Sequence, residues 1–201
     1  HHPKGQLNRL LSCFGGYADQ VGNYSYGPGL VVLPHVICAS GPVAGLVPSW
    51  DALIEHAQVL VLFGGMPIGN AQVNPGGMGR HRVRDHMRRI AEAGIACVHI
   101  GPCQADMPEG MPCEWLAPRP GTDTALMLGV AHTLIVENLH DVDFVTRFCV
   151  GFERLRAYIL GEEDGIVRSV EWAAQVTGVE ADRIRRLARL LAGKRSLISA
   201  T

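Results

Sequence analysis

The sequence predicts a layered α/β fold with a mostly parallel sheet, and the hydrophobic pattern carries this prediction. Residues 58–63 and 95–100 are two continuous apolar runs of strand length. Between them, an amphipathic stretch at residues 80–93 places Met87 and Ile90 on one helical face. Strands that are apolar throughout are typical of a parallel pair covered by helices on both faces. We therefore expect a Rossmann-like layered domain.

The segment ahead of these layers has another pattern. Residues 5–14 have apolar side chains at helical spacing, and the glycine-dense stretch that follows, at residues 15–29, predicts an ordered loop with unusual backbone angles. Residues 30–37 predict a short helix that Pro34 should kink or end.

We accordingly divide the chain into two predicted domains. Residues 1–47 form a helix and glycine-rich loop segment, and residues 48–201 form a truncated Rossmann-like cofactor-binding domain. Apolar spacing and turn residues predict the remaining elements of the second domain. These are helices at residues 50–56, 122–136, 141–149, 152–160, 169–177 and 180–193, and a strand at residues 196–200.

Composition excludes several classes of protein. The formal net charge is -1, with 18 Lys and Arg against 19 Asp and Glu, so no basic stripe is expected to bind nucleic acid. The apolar runs are far shorter than the ~20 residues that cross a bilayer, which predicts no membrane span. Small molecules or other protein domains are the expected partners. Localisation is not readable, because the sequence begins without Met and a signal could lie upstream.

The cysteines and histidines show no spacing typical of a metal site. Six cysteines form no C-x-x-C pair and stand in apolar contexts, so we predict buried free thiols, with a disulfide framework as the alternative. His81 and His86 lie five residues apart on a predicted helix, which separates them by more than one turn. We expect both to be solvated polar positions.

The loop after the first predicted strand is the candidate ligand site. It contains neither G-x-x-x-x-G-K-[ST] nor G-x-G-x-x-G, which disfavours an ordinary ATP or nicotinamide site. Open α/β sheets nevertheless bind ligands at the carboxyl ends of their strands, where glycines let the backbone approach closely. From the pattern alone, ligand binding and a simple turn both remain open. Composition likewise makes Ser25 a loop serine that caps the following segment.

Three blocks of sequence add a more specific observation. The first contains Gln-Leu-Asn-Arg, Gly-Asn-Tyr-Ser-Tyr-Gly and Val-Leu-Pro-His-Val within residues 6–36. The second contains Glu-Trp-Leu-Ala-Pro-Arg-Pro-Gly-Thr-Asp-Thr-Ala-Leu within residues 114–134, and the third runs from Leu-His-Asp to Val-Gly-Phe-Glu within residues 139–153. In order and spacing, these blocks resemble the dimethyl sulfoxide reductase family of molybdopterin oxidoreductases, which includes trimethylamine N-oxide and biotin sulfoxide reductases.

The resemblance implies a cofactor and a reaction. The cofactor is molybdenum bound by two molybdopterin guanine dinucleotides, and the reaction is reduction of an S-oxide or N-oxide with electrons from a donor. In the family, the serine of the Tyr-Ser pair is the protein ligand to molybdenum, and this position falls on Ser25, next to Tyr24. An alkoxide suits that role because it is a hard oxygen donor for a high-valent metal.

The resemblance also assigns residues to the dinucleotide. Thr122 and Asp123 match a turn where the carboxylate accepts hydrogen bonds from a guanine edge, and a helix-capping role for Asp123 is compatible with this. The loop after the first strand matches a region that holds one dinucleotide tail. Its predicted cofactor-binding residues are Gly64, Gly65, Pro67, Asn70 and Gln72.

Two positions depart from the family pattern. Many relatives carry Asp or Ser followed by Pro after the second strand, where this chain has Gly101 and Pro102, so a side-chain acceptor for ribose or guanine is missing. Asn23 stands where several relatives have Asp, which alters the hydrogen bonding expected around Ser25.

We therefore predict a fragment of a larger multidomain bacterial reductase, inactive alone, whose partners are its oxide substrate, an electron donor and the remaining domains. Residues 114–120 tilt the prediction toward the biotin sulfoxide type. The alternative is a nucleotide-binding or structural α/β module without redox activity.

Overall fold

The computed structural model describes residues 3–19, 27–37, 48–71, 81–108 and 110–200, without the side chains of residues 70 and 71. It contains two compact units, His1–Val47 and Pro48–Thr201. The cofactor roles assigned to these two units stay predictions.

The described part of the first unit consists of two helices, α1 (Pro3–Cys13) and α2 (Gly27–Ile37). Neither helix contains a buried residue. Pro34 lies inside α2, and the helix continues for three residues beyond it, so Pro34 does not end the helix. A kink at Pro34, the other predicted outcome, stays a prediction. An interior proline removes its own N–H bond and crowds the carbonyl four residues earlier, and α2 continues for three residues despite both effects.

Four parallel strands form the sheet of the second unit. They are β1 (Val59–Phe63), β2 (Ala96–Ile100), β3 (Glu114–Leu116) and β4 (Ser196–Ala200), in the spatial order β3-β2-β1-β4. Every pairing between neighbours is parallel, which confirms the predicted α/β class.

Helices cover this sheet and connect its strands. They are α3 (Trp50–His56), α4 (Ile68–Ala71), α5 (Val83–Glu92), α6 (Asp123–Val136), α7 (Val142–Phe148), α8 (Phe152–Ile159), α9 (Val170–Thr177) and α10 (Ala181–Gly193). A short 3₁₀ helix, Gln104–Asp106, follows β2.

Alternate residues of the strands face two separate hydrophobic layers, as the period-two geometry of a strand requires. Val61 and Ile100 belong to the layer that packs against α6, α9 and α10, with Leu126 and Ile184 among its helical members. Leu62 belongs to the opposite layer, with residues of α3 and α5. Coverage of both faces explains why β1 and β2 read as continuous apolar runs rather than as alternating ones.

The strand β3 is an element that the sequence reading missed. It has three residues and lies in a stretch rich in Pro and Gly, so it shows too little apolar pattern to be recognised alone. Its pairing with β2 holds it in place, with Ile100 opposite Leu116.

The cysteine prediction is wrong in two respects. Cys97 and Cys113 form a disulfide, with their Cα atoms 4.6 Å apart. The register of β2 and β3 explains this, because each cysteine directly precedes the paired residues Val98 and Glu114. The free cysteines in the described part of the chain are exposed rather than buried, and they are Cys13, Cys103 and Cys149.

Among the described residues, no helix combines the length and apolar character that a membrane crossing requires.

Candidate functional site

The topology identifies one edge of the sheet as the candidate site. The chain moves from β1 outward to β2 and β3, whereas β4 lies on the other side of β1. The order of the strands therefore reverses between β1 and β4, where Phe63 pairs with Ala200. Ligands of open α/β sheets bind in the crevice outside the carboxyl ends of the strands at such a switch point. The loop that begins at Gly64 leaves β1 at this position.

The two glycines of this loop have different roles. Both have positive φ angles, +88° for Gly64 and +80° for Gly65, which side chains rarely tolerate. Gly64 is exposed, whereas Gly65 is buried. A Cβ atom at Gly65 would collide with the backbone oxygen of Asp106 and lie 2.7 Å from Cε1 of His99. Gly65 is therefore required by packing within the protein, and Gly64 is the glycine open to a ligand.

Backbone hydrogen bonds join the loops that follow β1 and β2. The N–H of Gly64 donates to the carbonyl of Ile100 at 2.8 Å, and the N–H of Met66 donates to the carbonyl of Asp106 at 2.9 Å. These bonds extend the pairing of the two strands beyond the sheet. The glycine turn therefore has a fixed position relative to the 3₁₀ helix.

The loop after β3 places Thr122 and Asp123 at the start of α6. Thr122 occupies the N-cap position, but its hydroxyl donates to the carbonyl of Arg119 at 2.6 Å and accepts no bond from the helix. Asp123 is the first residue of α6, partly exposed, and its carboxylate has no hydrogen bond or ion pair with any other described residue. The capping role considered for either side chain is thus not observed. The carboxylate of Asp123 is free to accept hydrogen bonds from a ligand.

Arg119 anchors this turn to the rest of the domain. Its Nη1 donates to the carbonyls of Gln175 and Val176 at 2.7 and 3.0 Å, and its backbone N–H donates to the carbonyl of Thr177 at 2.8 Å. These carbonyls lie at the carboxyl end of α9, where a guanidinium also complements the helix dipole. The start of α6 is held against α9 in this way.

Several predicted site residues lie outside what the structure describes. Tyr24, Ser25 and Gln72 are outside the described residues, and for Asn70 only the helical backbone of α4 is described. Pro67 is partly buried and directly precedes α4. In the described ranges, no group of three or more His, Cys, Asp and Glu side chains could hold a metal ion.

His86 and His99 lie in environments that the sequence did not predict. His86 is partly buried and stacks on Trp50, with ring centroids 5.0 Å apart, so it is not a solvated position. Burial is the main cause that lowers the pKa of His86, and Arg82 and Arg89 lower it further. His81 is exposed, as predicted. His99 is fully buried beneath the glycine turn, and sequence reading did not select it.

Three concave surfaces of the described residues lie elsewhere. One of them, with a volume of about 480 Å³, lies between β3 and α10 and includes Glu114 and Arg183. The other two lie beside α7 and α8 and beside α3. None is lined by a predicted cofactor-binding residue. The strand-end site is instead defined by topology and by its exposed backbone.

Fold and strand-end loops together are those of an open parallel α/β domain, and comparison with known proteins identifies its family. The family model described as molybdopterin oxidoreductase matches residues 1–198. The chain therefore belongs to the molybdopterin oxidoreductase family, and this membership implies molybdenum and molybdopterin as the cofactor.

Individual relatives lie among the sulfoxide and N-oxide reductases. Over all 201 of its residues, the chain is 38% identical to the biotin sulfoxide reductase of Cereibacter sphaeroides. The match covers 27% of that protein. The chain is 34% identical, over 96% of its length, to the dimethyl sulfoxide/trimethylamine N-oxide reductase of Rhodobacter capsulatus, of which it covers 23%. It thus spans about a quarter of the length of these relatives.

A solved structure has the same architecture. The acetylene hydratase of Pelobacter acetylenicus superposes with a TM-score of 0.57 at 26% identity, over 74% of this chain and 18% of the hydratase.

The described residues offer two groups that suit a polar part of the molybdopterin cofactor. Gly64 offers exposed backbone at the switch point, and Asp123 offers an unpaired carboxylate after β3, which β2 separates from β1 in the sheet. Gly101, in contrast, offers no side chain for ribose or guanine. The fit therefore depends on the loops after β1 and β3.

Proposed function

We propose that the protein containing this chain is a molybdenum-dependent oxidoreductase that reduces an S-oxide or an N-oxide. The match of the family over residues 1–198, together with relatives named as sulfoxide and N-oxide reductases, carries this proposal. The greater identity to the biotin sulfoxide reductase favours a sulfoxide as substrate.

The proposed cofactor is molybdenum held by two molybdopterin guanine dinucleotides. This group supplies the redox chemistry, in which the oxide gives up its oxygen as water after taking up two electrons from a donor and two protons. The chain contributes binding and orientation. Gly64, Pro67, Asn70 and Gln72 hold one nucleotide tail, with Tyr24 near the metal end. Gly65 contributes by packing the turn against the loop after β2.

The start of α6 has a more specific role in this proposal. The carboxylate of Asp123 accepts hydrogen bonds from the Watson–Crick edge of a guanine, which presents two neighbouring N–H donors to a two-oxygen acceptor. The anchoring of this turn through Arg119 and α9 supports the assignment, because a recognition group must be held in a fixed geometry. Thr122 keeps the turn closed through its bond to Arg119.

Ser25 is the proposed protein ligand to molybdenum. We expect Ser25→Ala in the intact enzyme to lower the molybdenum content and to abolish reduction of dimethyl sulfoxide, trimethylamine N-oxide and biotin sulfoxide. A matched control is Ser12→Ala, because the hydroxyl of Ser12 bonds only within α1, to the carbonyl of Asn8 at 2.8 Å. Unchanged metal content and turnover in Ser25→Ala would overturn the assignment.

A nucleotide-binding module without redox activity is the second candidate. The described residues favour it to the extent that the exposed backbone of Gly64 and the unpaired carboxylate of Asp123 suit a nucleotide. Analysis of the intact protein separates the two candidates. Molybdenum together with guanine nucleotide supports the reductase, whereas metal-free protein that binds guanine nucleotide supports the module.

A further inference from the structure

A buried imidazole lies directly beneath the proposed nucleotide loop. His99 is the fourth residue of β2, and its side chain is fully buried in a strand whose other residues are apolar. Its Nε2 lies 3.2 Å from the carbonyl oxygen of Cys103, in the loop that follows β2. Its Nδ1 is buried and has no hydrogen-bond partner among the described residues.

This arrangement costs free energy that an apolar residue would not. When Nε2 carries the hydrogen and donates to Cys103, a neutral imidazole leaves Nδ1 as an unpaired acceptor. Burying such an acceptor is unfavourable, and leucine would fill a strand position without this penalty. Residues that lower the stability of their local structure in this way are typical of functional sites.

The two loops are built around the ring of His99. Cε1 of His99 would lie 2.7 Å from a Cβ atom at Gly65 and 3.0 Å from one at Gly101. Glycine at both positions therefore leaves space for the imidazole. Gly65 belongs to the turn after β1 and Gly101 to the loop after β2, so the ring fills the gap between the two loops.

We propose that His99 is a positioning residue for the dinucleotide site, in which its imidazole sets the separation between the turn at Gly64 and Gly65 and the loop at residues 101–106. The inference rests on the proposed function, because it gives these loops the nucleotide as their ligand. The same ring accounts for the departure at position 101, where a side chain would be in too close contact with the imidazole.

The first test compares two replacements of His99 in the intact enzyme. His99→Met conserves the volume approximately but removes the donor to Cys103, whereas His99→Gln retains a donor. We expect His99→Met to lose its guanine dinucleotide cofactor roughly tenfold faster than the parent protein, an effect typical of groups that support a binding shell. His99→Gln should restore much of the retention. Amide hydrogen exchange at residues 64–66 and 103–106 should increase in His99→Met but not in His99→Gln.

A second test asks whether Gly101 is glycine because of the ring. Gly101→Ala should lower the melting temperature and the nucleotide content when His99 is present, and should be tolerated when combined with His99→Ala. Gly65→Ala is the internal comparison, because its Cβ atom would still collide with Asp106 and its φ is +80° in either background. The loss of stability caused by Gly65→Ala should therefore be the same with and without His99. Gly193→Ala, with no atom within 4 Å of its added Cβ, controls for the glycine replacement itself.

The outcomes separate this inference from the proposed function. A parent protein that contains no guanine nucleotide would overturn both. A parent that contains it, with unchanged nucleotide release in His99→Met, would overturn the role of His99 and leave the proposed function standing. If Gly101→Ala lowers the melting temperature and the nucleotide content equally with and without His99, the role of His99 is also overturned. This second test remains decisive where His99→Met fails to fold.

Discussion

Asp123 is the residue whose surroundings most directly support nucleotide recognition. Its carboxylate is partly exposed, unpaired among the described residues and carried on an anchored turn. We expect Asp123→Asn to weaken retention of guanine nucleotide by about tenfold or more, since hydrogen bonds to a charged acceptor contribute about 1.5–3 kcal/mol. The amide would also present its own N–H group to the guanine donors.

The control for this change is Asp143→Asn, another acidic residue in the first turn of a helix. Asp143 pairs only with the exposed Arg147 and lies outside the candidate site. The guanine released by denaturation measures the occupancy of both variants. Equal occupancy in the parent protein and in Asp123→Asn would contradict the recognition role.

Arg168 is a structural residue that holds the loop between α8 and α9. Its guanidinium donates to both carboxylate oxygens of Asp164 and to the carbonyls of Tyr158 and Ile166, and it stacks over the ring of Tyr158 at 3.8 Å. The hydrogen bond from Arg168 is the main cause that lowers the pKa of Asp164 to about 2. The charged carboxylate is therefore favoured by the folded state.

This shift predicts how stability depends on pH. Because the pKa of Asp164 is lower in the folded protein than in the unfolded chain, its contribution is present above roughly pH 4 and is lost as the pH falls toward about 2. Asp164→Asn should remove that part of the pH dependence. Urea midpoints measured between pH 5 and pH 3 check this, with neighbouring Glu163→Gln as the control. If the urea midpoint depends on pH in the same way in the parent protein and in Asp164→Asn, the ion pair of Asp164 and Arg168 does not contribute to stability as predicted.

At the residue level, the environments of several side chains could not be predicted from the sequence. The apolar contexts of the cysteines gave no sign that Cys97 and Cys113 would face each other, because that depends on the register of a strand too short to recognise. His99 carried a signal that could have been used: it is a polar residue inside an apolar run of strand length. Its proximity to Gly65, in the loop after a different strand, could be recognised only from the fold.

Among the elements, the contact between α6 and α9 depends on one small residue. A Cβ atom at Gly129 would lie 2.6 Å from Cβ of Ala173 and 3.4 Å from Cγ2 of Ile184. We expect Gly129→Ala to destabilise the fold by about 1–3 kcal/mol, the usual cost of overpacking. Gly193→Ala should change stability by less than about 0.5 kcal/mol. Denaturant unfolding of both variants checks this, and equal stability would show that the helices are not closely packed here.

Most elements could be predicted because their patterns are local. The buried face of α5 contains Val83, Met87 and Ile90, and the predicted helix differs from the observed one only at its ends. The start of α6 was also predicted, although the hydroxyl of Thr122 bonds backward to Arg119 instead of capping the helix. The hydrogen bond from Thr122 depends on the position of Arg119. Arg119 is in turn anchored by α9, more than fifty residues away in sequence.

For the whole molecule, three sequence blocks were enough to indicate a family, whereas the site itself is incomplete in the described residues. The chain spans about a quarter of its relatives, and the proposed metal ligand Ser25 lies outside the described ranges. We expect the isolated 201-residue chain to lose molybdenum during gel filtration, because the remaining domains are expected to complete the enclosure of the cofactor. Retention of stoichiometric metal by the isolated chain would contradict this.

We propose that these residues form part of the site for a molybdenum cofactor with guanine dinucleotide tails. The most direct test is to purify the intact protein and to measure molybdenum and released guanine nucleotide in the same sample. We expect two guanine nucleotides for each molybdenum atom. Fully folded protein that contains neither, after expression in cells able to make the cofactor, would contradict it.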